Sequence, residues 1–512
     1  MVTDLNGSFL GSDLREAVEV QGEVYFVANV GGLHVFRTDG TAAGTTAVTT
    51  SLLSPRSLCP FGSAVLFDGL GANGREPWIT DGTPAGTFEL LDISPSGGGL
   101  PLYSEFVVVG GLAFFAANDG ITGLELWATD GTSAGTYQVL DINAGPGNST
   151  PSQMVAFNGE LYFRAYQPGT GSELWKSDGT AAGTVMVADI WPGLINSNPA
   201  ELQVSGGMLY MTASGSLVFG EQIWASDGTA AGTYQLTSNS GGVFNPYRDL
   251  TATSAGIFYR HDDGSGSGFE LWFTDGTPGS EMMLKDIGPG AADGPRGGSL
   301  MPALGGSQLV FAAADFDHGL QLWLSDGTPA NTRRITSFGG SGYGAVALDD
   351  IKSIGSQVFF AADDGASGSE PWVYDSAGAG LAYILPYGEG CSSSPTAPEI
   401  SANGLPTLGN SAFAVTVASG VPSTLAIPAA SDASNSFWLG NNCRLLVDIP
   451  YVLQPVVLTD ANGDAASPLP IPTSSGLIGY SLFYQWGVFE PGAGPLFGDF
   501  SLSGGLQLQL GQ

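Results

Sequence analysis

The sequence predicts an all-β protein: a β-propeller of about eight four-stranded blades, followed by a small β-sandwich. One aspartate recurs eight times, and successive copies lie 42, 49, 48, 49, 48, 51 and 49 residues apart. A period of this size accommodates four short strands and their turns, which together make one propeller blade. We find no sustained helical periodicity within the repeats.

One repeat shows how the strands follow from the residues. Residues 154–157 form an apolar strand that ends at Asn158-Gly159, a dipeptide typical of a type I′ hairpin turn. Three more strands are predicted over residues 161–165, 173–176 and 185–187, and the Asp-Gly-Thr segment turns the chain between the last two.

An aromatic residue occupies one fixed strand position in every repeat. We expect these rings to pack between neighbouring blades, which stabilises the fold by roughly 2–3 kcal/mol per ring. A stacking surface for sugars is the functional alternative. The residues are Phe36, Trp78, Trp127, Trp175, Trp224, Trp272, Trp323 and Trp372.

The Asp-Gly-Thr segment is interpreted as a structural turn. An aspartate carboxylate accepts backbone N–H bonds from residues just ahead of it, and glycine adopts the positive φ that such a turn needs. We expect this use in every blade rather than eight metal or catalytic sites. The aspartates are Asp39, Asp81, Asp130, Asp178, Asp227, Asp275, Asp326 and Asp375, of which only the last lacks the following Gly-Thr.

The residue two positions before the conserved aromatic residue is not the same in every repeat. Glutamine replaces glutamate in some copies, which keeps a hydrogen-bond acceptor but removes the charge. We therefore expect hydrogen bonding rather than acid–base chemistry. The residues are His34, Glu76, Glu125, Glu173, Gln222, Glu270, Gln321 and Glu370.

Some loops before the third strand carry acidic residues that could bind Ca²⁺, since this ion prefers oxygen ligands. The alternative is a solvated loop, and no cofactor is required by the sequence. The candidate ligands are Asp119, Asp263, Asp315 and Asp364.

The charge balance restricts the partners. Lys and Arg number 14 against 48 Asp and Glu, so the formal net charge is −34. A surface so poor in cations is unsuited to nucleic acid or to an anionic membrane. We also expect no membrane insertion, because no run of about 18 apolar residues occurs. The composition favours an exported protein, and we expect a monomer. The missing signal peptide then suggests a trimmed chain or a misplaced start.

The repeat resembles the bacterial ELWxxDGT-repeat proteins. The clearest copies are residues 125–132 and 173–180, and the resemblance covers roughly residues 1–386. It implies an exported repeat protein without an assigned activity. Asp4-Leu5 is similar to the Asp-Ile that follows several turns, so residues 1–5 are expected to complete the last blade and close the ring. The alternative is a chain cut within a longer array.

We divide the chain into a propeller (1–387), a Gly-, Ser- and Pro-rich linker (388–400) and a β-sandwich (401–512). The last segment resembles a module at the C-terminus of exported planctomycete and myxobacterial proteins. Of the three cysteines, Cys391 and Cys443 lie in this region, and we favour a disulfide between them over free thiols.

From the sequence we expect a non-catalytic extracellular binding or scaffold protein whose ligand is a glycan or a cell-envelope protein. The alternatives are a secreted polysaccharide-acting enzyme and a Ca²⁺-stabilised surface protein. An enzyme is disfavoured because His34, His261 and His318 occupy unrelated repeat positions and no unique carboxylate pair stands out. We expect function to lie in the loops in which the copies differ.

Overall fold

The structure of the chain is a computed structural model. Its contacts divide the chain into two compact units, one of Met1–Leu250 with Gly276–Gly279 and one of Thr251–Asp275 with Ser280–Gln512. The residues that the structure describes are 14–49, 53–102, 104–216, 220–238, 247–288, 292–303, 306–315, 319–336, 346–354, 357–363, 369–375, 383–387, 398–403, 407, 409–418, 421, 423–431, 434–440, 443–447, 452–453, 455–471, 473, 481–489 and 500–509.

The first unit contains five antiparallel sheets, each made of four strands that are neighbours in sequence order. Sheet 1 contains β1 (Arg15–Val20), β2 (Glu23–Asn29), β3 (Leu33–Thr38) and β4 (Thr46–Ala47). Sheet 2 contains β5 (Arg56–Phe61), β6 (Ala64–Leu70), β7 (Arg75–Thr80) and β8 (Phe88–Glu89). Sheet 3 contains β9 (Val107–Val109), β10 (Leu112–Asn118), β11 (Leu124–Thr129) and β12 (Thr136–Leu140). Sheet 4 contains β13 (Ser152–Phe157), β14 (Glu160–Gln167), β15 (Gly171–Ser177) and β16 (Val185–Ala188). Sheet 5 contains β17 (Ala200–Ser205), β18 (Met208–Ser214), β19 (Glu221–Ser226) and β20 (Thr233–Gln235).

Three further sheets follow in chain order. Sheet 6 contains β21 (Arg248–Thr253), β22 (Gly256–His261), β23 (Glu270–Thr274) and β24 (Met282–Lys285). Sheet 7 contains β25 (Met301–Ala303), β26 (Gln308–Asp315), β27 (Gly319–Ser325) and β28 (Arg333–Arg334), with a 3₁₀ turn at Pro329–Asn331. Sheet 8 contains three strands within the described residues: β29 (Val346–Ile354), β30 (Gln357–Asp363) and β31 (Ser369–Asp375).

The prediction of an all-β chain built from four-stranded antiparallel sheets is confirmed. The hairpin at Asn158-Gly159 has φ values of 51° and 80°, as a type I′ turn requires. Closure of the sheets into a ring is not seen among the described residues. Residues 1–5, which were expected to complete the last blade, lie outside them.

The core lies between consecutive sheets rather than within any one of them. Phe114 and Leu126 of sheet 3 share a buried cluster with Leu161, Phe163 and Trp175 of sheet 4. Separate clusters of the same kind join sheets 1 and 2, 2 and 3, 4 and 5, 6 and 7, and 7 and 8. A single sheet therefore buries its apolar faces only by stacking on its neighbours.

The C-terminal strands form a six-stranded and a three-stranded sheet around a shared core. Their bounds are β32 (Tyr383–Tyr387), β33 (Glu399–Ala402), β34 (Ala414–Ala418), β35 (Leu425–Ser431), β36 (Ser434–Gly440), β37 (Cys443–Val447), β38 (Val452–Leu453), β39 (Val457–Leu458), β40 (Asp464–Pro468), β41 (Ser481–Phe489) and β42 (Phe500–Gln509). One sheet has the order β32-β42-β41-β35-β38, with β39 also on β35, and the second has the order β33-β34-β40. A small hairpin consists of β36 and β37. Val415 of β34 and Trp486 of β41 are fully buried in one cluster, so the two sheets face each other across it.

The structure shifts one boundary that was drawn from the sequence. Residues 383–387 were assigned to the repeat array, but β32 pairs with β42, with Tyr383 opposite Gln509 and Tyr387 opposite Gly505. The strand was misplaced because its distance from the last turn resembles that of a fourth blade strand, and spacing does not reveal the pairing partner.

Among the described residues, no helix is long and apolar enough to span a bilayer.

Candidate functional site

The Asp-Gly-Thr turns share one hydrogen-bond pattern. In the fourth repeat, Asp178 Oδ1 accepts bonds from the N–H and the hydroxyl of Thr180, at 2.8 and 2.7 Å. These two donors hold the pKa of the Asp178 carboxyl below its ordinary value. The same pair of bonds is made by Asp39, Asp81, Asp130, Asp227 and Asp326. The Asp275 turn is one residue shorter, and there the backbone N–H of Asp275 donates to the Ser280 hydroxyl.

Three positions outside the Asp-Gly-Thr segment complete this turn, and their roles were missed from the sequence. The Ser177 hydroxyl accepts a bond from the Gly179 N–H and bonds to the Thr184 hydroxyl at 2.8 Å. A Cβ on Gly183 would overlap the Asp178 carboxylate where it lies in this turn. The seventh repeat has Asn331 at this position, and there the side-chain amide donates to the Asp326 carboxylate at 2.7 Å. The signal was present in the sequence, because a glycine follows five of the aspartates at the same distance: Gly44, Gly86, Gly135, Gly183 and Gly232.

The turns also join consecutive sheets of the first unit. The Tyr137 hydroxyl of sheet 3 donates to the carbonyl of Gly179 in the turn of sheet 4, at 2.9 Å. A Cβ on Gly228 would overlap the Tyr162 hydroxyl, and one on Gly276 would overlap that of Tyr210. Glycine is therefore needed both for its φ and for close approach to the preceding sheet.

The tryptophans lie against the neighbouring sheet. Trp127, Trp175 and Trp323 are 7%, 4% and 4% exposed, and each belongs to a cluster shared with the preceding sheet. Partly buried members of such clusters are Trp78, Trp224 and Trp372. Trp272 packs edge-on against His261, with ring centroids 5.5 Å apart. Rings in these positions are suited to packing, since stacking a sugar needs an open ring face.

The repeat glutamate is fully buried and holds the linker to the next sheet. Glu173 Oε2 accepts bonds from the Ile190 N–H at 2.8 Å and the Ser197 hydroxyl at 2.6 Å, and Oε1 accepts the Ser197 N–H at 3.0 Å. Burial raises the pKa of Glu173 and of Glu270 to about 7. Glu76, Glu125 and Glu270 hold their linkers through equivalent backbone bonds.

Repeats that lack this glutamate use a second kind of junction. The Thr237 hydroxyl donates to Gln222 Oε1 and accepts the Ile223 N–H, both at 3.0 Å. Gln321 pairs with Thr336, and His34 with Thr49, in the same way. In all three the threonine lies ten residues after the turn aspartate, whereas repeats 2, 3, 4 and 6 have Asp-Ile just beyond that position. This correlation within the chain was missed from the sequence.

The acidic residues proposed as Ca²⁺ ligands do not converge in the described part of the chain. Asp119 Oδ1 accepts the N–H groups of Ile121 and Thr122, and Asp263 Oδ1 accepts that of Ser265, so each carboxylate stabilises its own loop. The side chain of Asp315 and all of Asp364 lie outside the described residues. Elsewhere in the described ranges, no group of three or more His, Cys, Asp or Glu side chains could hold a metal ion.

The structure describes only some of the cysteines and histidines singled out in the sequence. Cys391 and the side chain of Cys443 lie outside the described residues, so the expected disulfide stays a prediction. Cys59 is a free thiol, and burial raises its pKa. His261 is buried beside Trp272, and His318 lies outside the described residues.

The loops that differ between repeats meet at one end of sheets 2 to 4. In each of these sheets, the loop between the second and third strands lies against the linker to the next sheet: Gly74 against Gly98, Gly123 against Gly147, and Gly171 against Ile195. Asn148 and Asn196 fasten two of these contacts, because their Oδ1 atoms accept the N–H groups of Leu124 and Ser172. We call this surface the loop end; it comprises residues 70–74, 92–102, 118–123, 141–151, 166–171 and 189–199.

Backbone hydrogen bonds connect the parts of the loop end that belong to neighbouring sheets. The Asn118 N–H donates to the carbonyl of Gly99, and the Tyr166 N–H to that of Ser149. Each linker is thus bonded to the end of the second strand in the sheet that follows it. The loop end of the three sheets is therefore one surface, held by backbone bonds.

Large apolar side chains are exposed on this surface. Leu194 is 79% exposed, Ile121 75%, Leu102 64%, Ile195 45% and Leu70 44%. Single exposed apolar residues are common on protein surfaces, but several on adjoining loops indicate an interaction site.

Comparisons with known proteins come from solved structures alone, because no family model and no curated protein matches the chain. A puromycin hydrolase is 17% identical over 76% of this chain and 61% of its own, with a TM-score of 0.37. A prolyl endopeptidase is 11% identical over 80% and 55%, with a TM-score of 0.39. Oligopeptidase B from Leishmania major is 12% identical over 71% and 53%, with a TM-score of 0.39. The chain thus spans less than two thirds of each of these proteins.

These structures correct two expectations. All three are named as hydrolases or peptidases, which contradicts the expected non-catalytic extracellular binding or scaffold protein and the expectation that the chain is not an enzyme. They give no support to a polysaccharide-acting enzyme or a Ca²⁺-stabilised surface protein either. Identities of 11–17% and TM-scores below 0.4 assign no activity or substrate to this chain.

Proposed function

We propose that the chain acts on polypeptides, and that the loop end of sheets 2 to 4 receives the polypeptide. The observation that carries this proposal is the set of exposed leucine and isoleucine side chains on adjoining loops, led by Leu194 and Ile121. Their loops are bonded to the linkers and to the neighbouring strands, so the surface is formed before a ligand arrives.

A polypeptide suits this surface better than a glycan does. Branched aliphatic side chains are buried favourably against the apolar side chains of a peptide. Sugars are usually held by open aromatic faces, and the repeat tryptophans Trp127 and Trp175 are buried between sheets instead.

We propose further that the array is a closed propeller of the ELWxxDGT class on an exported protein. The period of about 48 residues and the apolar clusters between consecutive sheets support this architecture. The C-terminal sheets, with their own core around Trp486, support a separate module after the array.

The experiment is a binding and cleavage assay with the full chain and a pool of synthetic nonapeptides of mixed sequence. Bound peptides are recovered by pull-down, and new peptide termini are identified by mass spectrometry, since the similar structures are peptidases. Replacing Leu194 and Ile195 together with serine should lower recovery about tenfold. Val185→Ser is the matched control, because Val185 is 41% exposed in sheet 4 but lies outside the loop end.

A pool recovered equally by wild type and by the Leu194→Ser, Ile195→Ser variant would remove the loop end as the receiving surface. Neither binding nor new termini with wild-type protein would remove the proposed function. Equal thermal midpoints of the three proteins show that the substitutions leave the fold intact.

A further inference from the structure

We infer that the polypeptide received at the loop end is cationic, with Lys or Arg residues close to apolar ones; this inference rests on the proposed function. Two properties of the same surface lead to it. The exposed leucine and isoleucine residues provide the apolar contact, and the charge around them selects the sign of the partner.

Sheets 2 to 4 carry a large excess of negative charge. Residues 53–199, which hold these sheets and their linkers, contain fourteen acidic and four basic residues. At the loop end itself, Asp92, Asp141 and Asp189 open the three linkers, and Asp119 lies two residues from Ile121. The buried Oδ1 atoms of the three linker aspartates have no hydrogen-bond partner in the described part of the chain. Their Oδ2 atoms accept bonds from the neutral donors Asn73 Nδ2, Gly145 N–H and Gly193 N–H, and no salt bridge of the described residues joins them to Lys or Arg. Their negative charges therefore make the potential over the loop end negative.

The basic residues of these sheets are already engaged. Arg75 pairs with the buried Asp68 at 2.6 Å and also donates to the carbonyl of Ser54. The positive charge of Arg56 also favours the ionised form of the Asp68 carboxyl.

The other two cations are also held within sheet 4. Lys176 pairs with Glu160 at 2.9 Å, and Arg164 donates to the Ser152 hydroxyl at 3.0 Å. Arg56, Arg75 and Lys176 thus act on carboxylates other than the linker aspartates, and Arg164 is bonded to a neutral hydroxyl.

A partner that complements this surface carries positive charge beside apolar side chains. The charge steers the encounter and the apolar contact supplies the affinity. Nucleic acid and anionic lipid carry the wrong sign. Ile121 and Asp119 share one loop, so a segment docked there presents both kinds of side chain within a few residues.

Binding of three fluorescent nonapeptides to the full chain tests the inference: three copies of Lys-Leu-Gly, of Ser-Leu-Gly and of Glu-Leu-Gly. We expect the lysine peptide to bind about tenfold more tightly than the serine peptide, and the glutamate peptide to bind more weakly still. Raising the ionic strength from about 0.05 M to about 0.5 M should remove most of the lysine advantage.

Two variants locate the effect. Asp119→Asn keeps the Oδ1 acceptor for the Ile121 N–H and removes only the charge. It should weaken binding of the lysine peptide and leave the serine peptide unchanged. Leu194→Ser with Ile195→Ser should weaken both peptides, whereas Val185→Ser should weaken neither.

Equal affinities for the lysine and serine peptides, with both lost in the Leu194→Ser, Ile195→Ser variant, would overturn the charge preference and leave the proposed function standing. A lysine preference unchanged by all the loop-end variants would show adsorption to the acidic surface at large, and it also overturns the inference. If no peptide and no member of the mixed pool binds, the proposed function itself fails.

Discussion

Replacing Glu173 with glutamine keeps the size of the side chain and removes a buried carboxylate that receives three hydrogen bonds. Glutamine has one acceptor oxygen, so its NH₂ group must face either the Ser197 N–H or the two donors on Oε2. In the first arrangement the Ser197 N–H keeps only its second acceptor, the Ser172 carbonyl at 3.1 Å, and meets an amide donor. In the second, the buried Ile190 N–H loses its acceptor. Either arrangement costs about 1–3 kcal/mol. We expect this loss of stability at acidic pH, where Glu173 of the wild-type protein is uncharged, as glutamine is.

Whether Glu173→Gln destabilises or stabilises the junction depends on the pH. Burial raises the pKa of Glu173 to about 7 from an ordinary value of 4.5, so the folded protein holds this proton more tightly than the unfolded chain does. The stabilisation is complete below pH about 4.5 and is lost as the pH rises through about 7; it amounts to about 3 kcal/mol. Glutamine does not titrate, so Glu173→Gln should destabilise the junction at pH 5 and become neutral or stabilising at pH 8.

A local measurement suits this prediction because a chain of two compact units is not expected to unfold in one step. Hydrogen–deuterium exchange of peptides that span residues 185–200 reports the opening of the linker that Glu173 holds. The junction at Gln222 and Thr237 is the internal control, because neither residue titrates in this range.

A second substitution tests the hydrogen-bond reasoning. Ala188 lies ten residues after Asp178, at the position that threonine occupies in the Gln222 junction. Glu173→Gln with Ala188→Thr should therefore recover about 1 kcal/mol of the loss at pH 5. The reasoning is refuted if the difference between wild type and Glu173→Gln is the same at pH 5 and pH 8, or if it grows with pH.

Three further outcomes are expected. Gly183→Ala should destabilise the fourth repeat by more than about 1 kcal/mol, because the new Cβ displaces the Asp178 carboxylate; Gly97→Ala, whose Cβ meets nothing, is the control in thermal melting. Trp175→Ala should cost about 3–5 kcal/mol by leaving a cavity between two sheets, measured by urea unfolding, and a loss below about 1 kcal/mol would contradict the packing role. A chelator should leave the melting temperature unchanged, because Asp119 serves its own loop; a clear decrease would instead support the Ca²⁺ site.

The sequence alone determined the strands and their order. The hairpin at Asn158-Gly159 and the alternation in the strands around it predict local structure, and local structure depends on residues close in the chain. The packing of Trp175 and the turn at Asp178 were predicted for the same reason: a side chain that recurs at one strand position must meet the same surroundings in each repeat.

Other features required the tertiary structure because they join residues that are distant in sequence. Glu173 was recognised as a hydrogen-bonding residue, but its donors lie 17 and 24 residues further along the chain. The pairing of β32 with β42 joins Tyr383 to Gln509, and no spacing rule predicts such a partner. Similarly, the exposure of Ile121 and Leu194 on one end of the sheets depends on how the sheets stack. Strand identity follows from the local pattern of side chains, whereas the burial of Glu173 and the surface offered to a partner depend on which strands and loops the fold brings together.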